Sequence, residues 1–344
     1  MAADRNLDAR FMRRAIEISR RGFPAPNPHV GCVICQGDQI VGEGYHHFAG
    51  GLHAEAEALK VAGEAARGAA AYVTLEPCTH FGRTPPCADA LIHAGVRRVV
   101  VACLDPNPKA MGGLDKLRAA GIEVESGVLQ DEAAAANTQF LLAMEKRRPH
   151  IVLKAASSLD GRTALPNGES KWITGPAARR EGHRLRALCG AVLVGRRTVE
   201  MDDPQLTARI PGVKNQPVRI VLDPLGKLGS HWKVFDASAP TIHLTRGHLG
   251  VAYGSEGFDV HELAAALFEQ GINGVLVEGG ALTLSQFLKA RLFDKVELFL
   301  GAKVLGAGPN WAELPGLASI TDAPSLSVTR VRRLQGDIQI SLRP

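Results

Sequence analysis

Long apolar runs are missing from this sequence. No stretch approaches the roughly 18 uninterrupted apolar residues that a membrane span requires, so no contact with a membrane is expected. The N-terminal charges Asp4, Arg5, Asp8 and Arg10 have no apolar segment behind them. That predicts no secretory signal and a cytoplasmic chain whose thiols stay reduced. A dominant charge sign is missing too: 40 Lys and Arg face 35 Asp and Glu, and the basic residues fall in scattered pairs such as Arg13-Arg14, Arg97-Arg98 and Arg179-Arg180. Without one basic stripe, no nucleic-acid partner is expected, and small anionic molecules are favoured instead. There is no internal repeat, and no low-complexity tract beyond the alanine run Ala133 to Ala136. The second half lacks a G-x-G-x-x-G, which excludes an ordinary dinucleotide fingerprint. What remains is a globular composition of 45% apolar and 22% charged residues in 344 positions, more than one hydrophobic core usually serves, so two domains are expected.

The densest chemistry lies between residues 53 and 87: His53-Ala54-Glu55, then Thr74-Leu75-Glu76-Pro77-Cys78, then Pro85-Pro86-Cys87. One imidazole and two thiolates can hold Zn²⁺ tetrahedrally with the fourth position open, as catalytic sites require, whereas a structural site would need a fourth protein ligand that neither segment offers. His53, Cys78 and Cys87 are therefore the candidate metal ligands, and Glu55 the candidate general acid/base. The order His-x-Glu then Pro-Cys is that of zinc nucleobase deaminases, whose glutamate is not a ligand. The usual Cys-x-x-Cys is here stretched to eight intervening residues, Thr79 to Pro86, and that polar insertion should shape the substrate pocket. Cys103 and Cys189 end apolar runs and read as buried thiols. Cys32 and Cys35 lie on a predicted strand, where a separation of three sends them to opposite faces.

Helices are expected near Leu7 to Arg20, His53 to Gly63, Cys87 to Ala94 and Leu114 to Ala120. They alternate with a hairpin over Val30 to Gly44 and strands over Ala71 to Leu75, Val96 to Cys103 and Ile122 to Ser126. Glu145 to His150 reads as a junction. Beyond it the pattern restarts with a strand at Ile151 to Ala156, a helix over Pro176 to Leu188 and a strand at Ala191 to Gly195. Further strands are expected at Val218 to Leu222, Thr241 to Leu244, Gly274 to Val277, Lys295 to Leu300 and Asp337 to Leu342, with helices near His261 to Glu269 and Thr283 to Lys289. Two segments here suggest a cofactor. Gly274 to Gly280 is an apolar strand ending in two glycines that let backbone approach a diphosphate. Val194-Gly195-Arg196-Arg197-Thr198 is a strand running into a basic turn. It resembles the Gly-Arg-x-Thr of dihydrofolate reductase, and that resemblance places Arg196 at a 2′-phosphate and Thr198 at the diphosphate, favouring NADPH.

Several strings in collinear order resemble the bifunctional deaminase-reductase family of riboflavin biosynthesis. They are Pro26-Asn27-Pro28-His29-Val30-Gly31-Cys32-Val33-Ile34, His53-Ala54-Glu55, all of Thr74 to Cys87, Asp105-Pro106-Asn107-Pro108, Ser158-Leu159-Asp160-Gly161-Arg162, Ser170-Lys171-Trp172-Ile173-Thr174, Asp202-Asp203-Pro204 and Val277-Glu278-Gly279-Gly280. The resemblance spans essentially the whole chain, long Cys-to-Cys loop included. It implies an α/β protein with an N-terminal cytidine-deaminase-like three-layer domain over residues 1–146 and a C-terminal dihydrofolate-reductase-like α/β domain over 150–344. It implies Zn²⁺ and NADPH as cofactors, a pyrimidine ribosylamine phosphate as substrate and a homo-oligomer, dimer or tetramer. By the same resemblance Asn27, His80 and Arg83 orient the pyrimidine and ribose. Ala156, Trp172, Thr198, Asp202 and the loop from Gly280 meet the cofactor, while Ser170, Arg186, Leu206, Arg209 and Glu278 meet the reductase substrate. Lys154 is left between pairing and ligand contact. Two rivals stand beside this reading. A nucleoside or RNA deaminase with an unrelated appendage would show the short Cys-x-x-Cys and a concentrated basic surface, and a binding module with an inactive second half would not oxidise NADPH.

Overall fold

Small residues decide how the first metal-ligand segment meets its sheet. In the computed structural model, which describes residues 2–81 and 85–344 with side chains from residue 6 onward, the chain divides into two units, Met1–Lys146 and Arg147–Pro344. The first contains α1 (Ala2–Ser19), β1 (Gly31–Gln36), β2 (Gln39–Tyr45), α2 (Ala54–Ala62), β3 (Ala70–Leu75), α3 (Cys87–Ala94), β4 (Arg98–Cys103), α4 (Gly113–Ala119), β5 (Glu123–Ser126), α5 (Gln130–Ala136) and α6 (Thr138–Lys146). Its sheet runs β2-β1-β3-β4-β5, antiparallel around β1 and parallel from β3 to β5.

One face of that sheet buries Cys32, Ile34, Ala71, Val73, Val99 and Val101 against Ala54, Ala58 and Ala62 of α2, Ala88 and Leu91 of α3 and Leu114 and Leu117 of α4. The other buries Val33, Cys35, Tyr72 and Val100 against Phe11, Met12 and Ala15 of α1 with Ala133 and Phe140. Cys32 and Cys35 thus lie on opposite faces, as the strand period requires. The alanine stripe of α2 rests on Gly42 and Gly44 of β2, where a Cβ would stand 2.3 Å from the Ala58 and Ala54 carbonyl oxygens. Only glycine permits that approach, and it brings the start of α2, with His53 and Glu55, down onto the sheet.

The second unit contains β6 (His150–Ser158), α7 (Pro176–Cys189), β7 (Ala191–Gly195), α8 (Arg196–Asp202), β8 (Val218–Leu222), β9 (Thr241–Leu244), the short pair β10 (Tyr253–Gly254) and β11 (Gly257–Phe258), α9 (Val260–Glu269), β12 (Gly274–Val277), α10 (Ala281–Lys289), β13 (Lys295–Gly301), β14 (Ser327–Leu334) and β15 (Asp337–Arg343). Its sheet runs β14-β15-β13-β6-β12-β7-β8-β9. It is parallel from β13 through β9, with an antiparallel extension. Ile151, Leu153, Leu193 and Ile220 face α9 and α10. Val152, Leu276 and Phe299 face α7, and Val192, Val194 and Val221 face the Val199 side of α8.

Some stretches depart from the expected elements. β14 carries Arg330, Arg332 and Arg333 and is exposed along most of its length, so no alternation marks it. α5 and α6 occupy the alanine run and the start of the expected junction, which is helical through Lys146. The segment after Gly195 is a helix, α8, rather than a turn. No helix among the described residues is long and apolar enough to cross a membrane.

Candidate active sites

The first site is assembled from three chain ends. His53 is the N-cap of α2, Cys78 follows the end of β3, and Cys87 opens α3. Their ligand atoms all lie within 4.8 Å of one another: His53 Nδ1 is 3.2 Å from Cys87 Sγ and 3.6 Å from Cys78 Sγ. Both sulfurs are buried. Cys87 hydrogen bonding holds the Cys78 thiol well below its ordinary range, and the same contact with burial pushes Cys87 up. An imidazole and two thiols this close together are the donor set a divalent zinc ion takes, with loss of the thiol protons. The residues present therefore fit zinc.

Glu55, 3% exposed, sits one helical residue further in. Burial raises its carboxyl above the usual carboxylate range, with His53 pulling the other way. A buried carboxyl whose pKa is raised is suited to take and return a proton. Asn27 Nδ2 lies 3.0 Å from His46 Nε2, and His80 is exposed. Arg83 lies outside the described residues.

His46 was not expected. Its ring stands edge-on to His53 at 5.3 Å, and its Nδ1 lies 2.9 Å from the Leu52 carbonyl oxygen. Burial pushes its pKa down to about 4, so it is neutral at pH 7 and orients Asn27. His46 follows β2 in a His46-His47 pair that belongs to no motif, so the sequence carries no signal for this role. Glu76 stands in the Thr74 to Cys87 string with no role of its own in the sequence, yet its carboxylate accepts three backbone N–H groups.

The second site lies along the carboxyl ends of the parallel strands, where open α/β sheets bind ligands. β7 and β12 are parallel neighbours, so the two segments singled out in the sequence are adjacent, and the Gly280 N–H donates to Thr198 Oγ1 at 3.0 Å. That glycine, exposed and without a side chain beside a hydroxyl, leaves room for a phosphate-bearing cofactor. Glu278 follows β12 with its side chain 8% exposed and meets Arg186 in a fork, 2.6 Å from Nε and 2.9 Å from Nη2. Lys154 Nζ is 3.6 Å away. Burial alone would raise this carboxyl, but Arg186 and Lys154 hold it at about 2.

The third Arg186 nitrogen, Nη1, donates to the Thr207 carbonyl, so its guanidinium is largely committed. Arg209 is exposed and reaches Thr207 Oγ1 at 2.9 Å. Leu206, between them in the chain, is buried with φ at +55°. Trp172 is exposed, with Arg179 stacked over its ring at 4.3 Å and Lys303 Nζ donating to its carbonyl. Ser170 accepts the Ile173 N–H through its carbonyl in the same loop, and Ala156 packs on the α7 face of β6. Arg196 pairs with Glu200 at 2.5 Å and lies 3.7 Å from fully buried Asp223. Asp202 is exposed at the end of α8, with no bond to the rest of the set among the described residues.

Comparison with known proteins gives a family match for each unit. Residues 5–103 match the cytidine and deoxycytidylate deaminase zinc-binding region, and residues 149–340 match the RibD C-terminal domain. The chain is 44% identical to the riboflavin biosynthesis protein RibD of Aquifex aeolicus, covering 98% of each. It superimposes on Acinetobacter baumannii RibD with a TM-score of 0.88 at 40% identity, covering 99% of each. A Thermotoga maritima structure described as a diaminohydroxyphosphoribosylaminopyrimidine deaminase/5-amino-6-(5-phosphoribosylamino)uracil reductase gives 0.85 at 37% identity, again over 99% of each. With a His-Cys-Cys cluster in one unit and a reductase fold of the NADPH-using type in the other, the chain belongs to the RibD family, the bifunctional deaminase-reductases of riboflavin biosynthesis.

Proposed function

We propose that residues 1–146 deaminate 2,5-diamino-6-ribosylamino-4(3H)-pyrimidinone 5′-phosphate and that residues 150–344 reduce the ribosyl side chain of the product to give 5-amino-6-ribitylamino-uracil 5′-phosphate. The observation that carries the first half is the convergence of His53, Cys78 and Cys87 beside buried Glu55. Bound zinc supplies a Lewis acid and makes water acidic enough to ionise near neutral pH. Glu55 takes the proton of the attacking water and returns it to the departing ammonia. His46 and Asn27 hold the ring, with His80 and Arg83 on the inserted loop.

In the second half NADPH supplies the hydride, and the chain supplies position. Thr198, Gly280, Ala156, Trp172 and Asp202 hold the cofactor, while Ser170, Leu206, Arg186, Arg209 and Glu278 hold the substrate. Of the two arginines near Thr207, Arg209 is the one free to meet a phosphate, because Arg186 is spent on Glu278. The enzyme works in the cytoplasm as a homo-oligomer. The exposed edge strand β14, with Val328 and Val331 more than half exposed, supports a second copy of the chain pairing there.

Cys78→Ser separates the two halves. A hydroxyl is a far poorer ligand than a thiolate for zinc, so zinc content and deaminase activity should fall while the NADPH-dependent step survives on supplied intermediate. Loss of both activities from a chain that remains folded would contradict two independent sites.

Cofactor choice rests on the basic segment of α8. Arg196→Ala should raise the KM for NADPH and leave NADH usage nearly unchanged, a loss of about 1.5 to 3 kcal/mol for one charge-assisted contact. Arg197, exposed and without an ion pair among the described residues, is the companion variant. Steady-state kinetics with both cofactors decide: the same NADPH to NADH preference in both variants removes this segment from the 2′-phosphate site.

A further inference from the structure

Glu76 lies between the end of β3 and the metal-ligand segment and is 7% exposed. It makes no ion pair among the described residues. Instead its Oε1 accepts the N–H groups of Gly112 at 3.0 Å and Leu114 at 3.2 Å, and its Oε2 accepts that of Asp105 at 3.3 Å. All three donors belong to the segment that follows β4. Two further contacts bring that segment beside Cys78: Thr79 N–H donates to the Ala110 carbonyl at 3.3 Å, and Thr79 Oγ1 donates to the Met111 carbonyl at 3.0 Å. Ala110 packs with both ligand cysteines. The approach is close enough that a Cβ on Gly113 would stand 1.9 Å from the Pro77 carbonyl oxygen.

We propose that Glu76 is a positioning residue of the deamination site, fixing the wall formed by residues 105–114 against the Cys78 segment so that the pocket is shaped before substrate arrives. A carboxylate is suited to this because it offers acceptors on two oxygens and no donor. The N–H groups of Asp105 and Leu114 would otherwise be buried without partners, and that of Gly112 half-buried. The proposal rests on the deaminase reading of the first unit. It assigns Glu76 no contact with substrate or metal.

Glu76→Gln tests it in the full-length, zinc-loaded chain. The amide keeps one acceptor but turns a donor toward an N–H, so part of the wall is released. Amide hydrogen exchange over residues 104–114 should quicken, and the deaminase KM should rise about tenfold, the worth of one or two such bonds. Zinc content, deaminase kcat and the reductase reaction of the same chain should stay near the parent values. A purely structural role would lower the melting temperature without separating KM from kcat. Should Glu76→Gln not fold, Thr79→Val loosens the outer tie alone, and it should quicken exchange over residues 110–112 with a smaller rise in KM. Parent-like KM and exchange overturn the role of Glu76, and so does loss of zinc together with kcat, which would make it a support of the ligand instead of the wall. A parent chain without deaminase activity removes the functional reading itself, a different result from an active parent and an indifferent variant.

Discussion

Replacing Glu55 by Gln is expected to leave about one zinc per chain while lowering deamination by about 10²- to 10⁴-fold, the usual contribution of a general acid/base. The three ligands are untouched, and Gln is nearly the same size, so the helix start and the buried packing around position 55 survive. What is lost is the ability to hold a proton between attack and departure of ammonia. The raised carboxyl pKa, caused first by burial, is the property an amide cannot copy. Metal analysis with a single-turnover deaminase assay checks this, and near-parental turnover in a zinc-loaded variant would remove Glu55 from the chemistry. The reductase reaction of the same protein serves as the internal control for folding.

Arg186→Ala should be the most damaging single change in the second unit. It strips the fork from Glu278 and leaves a buried carboxylate whose one remaining ion-pair partner among the described residues is Lys154, at 3.6 Å. Breaking one side of a buried pair typically costs about 3 to 5 kcal/mol. The effect has a definite pH dependence. In the parent chain Glu278 is held at about 2, below the ordinary glutamate value of 4.5. The pair therefore contributes stability that is fully present above about pH 4.5 and is lost as the pH falls toward 2. In Arg186→Ala burial dominates and the carboxyl protonates more readily, so the deficit against the parent should be largest at pH 7 and narrow toward pH 4. Thermal melts of the reductase transition at the two pH values measure this. A deficit independent of pH would mean that lost packing, not the orphaned charge, explains the damage. Arg186→Lys should not restore the parent, because a point charge cannot replace a planar fork.

Local patterns in this chain were enough to pick out His53, Cys78 and Cys87, whose ligand atoms converge in the structure, and Glu55 beside them as the candidate acid/base. Each stands at the start of a helix or the end of a strand whose 3.6 or 2.0 period is written in neighbouring residues, so a motif a few residues long carries both identity and placement. The same locality located α3, β8, β9 and β12 to the residue. It failed where burial gives no period, at the exposed edge strand β14 and at the alanine-rich α5. Only the tertiary structure decided which distant groups meet. Arg186 and Glu278 are 92 residues apart, and nothing near either one announces a partner, since the pairing follows from α7 packing over β12. Strand order also made neighbours of Gly195 and Gly279, and it brought the segment after β4 onto Glu76. Those contacts depend on sheet order and on which face each helix covers. Both are set by the burial of whole surfaces, a property of the assembled chain that no short window of sequence contains.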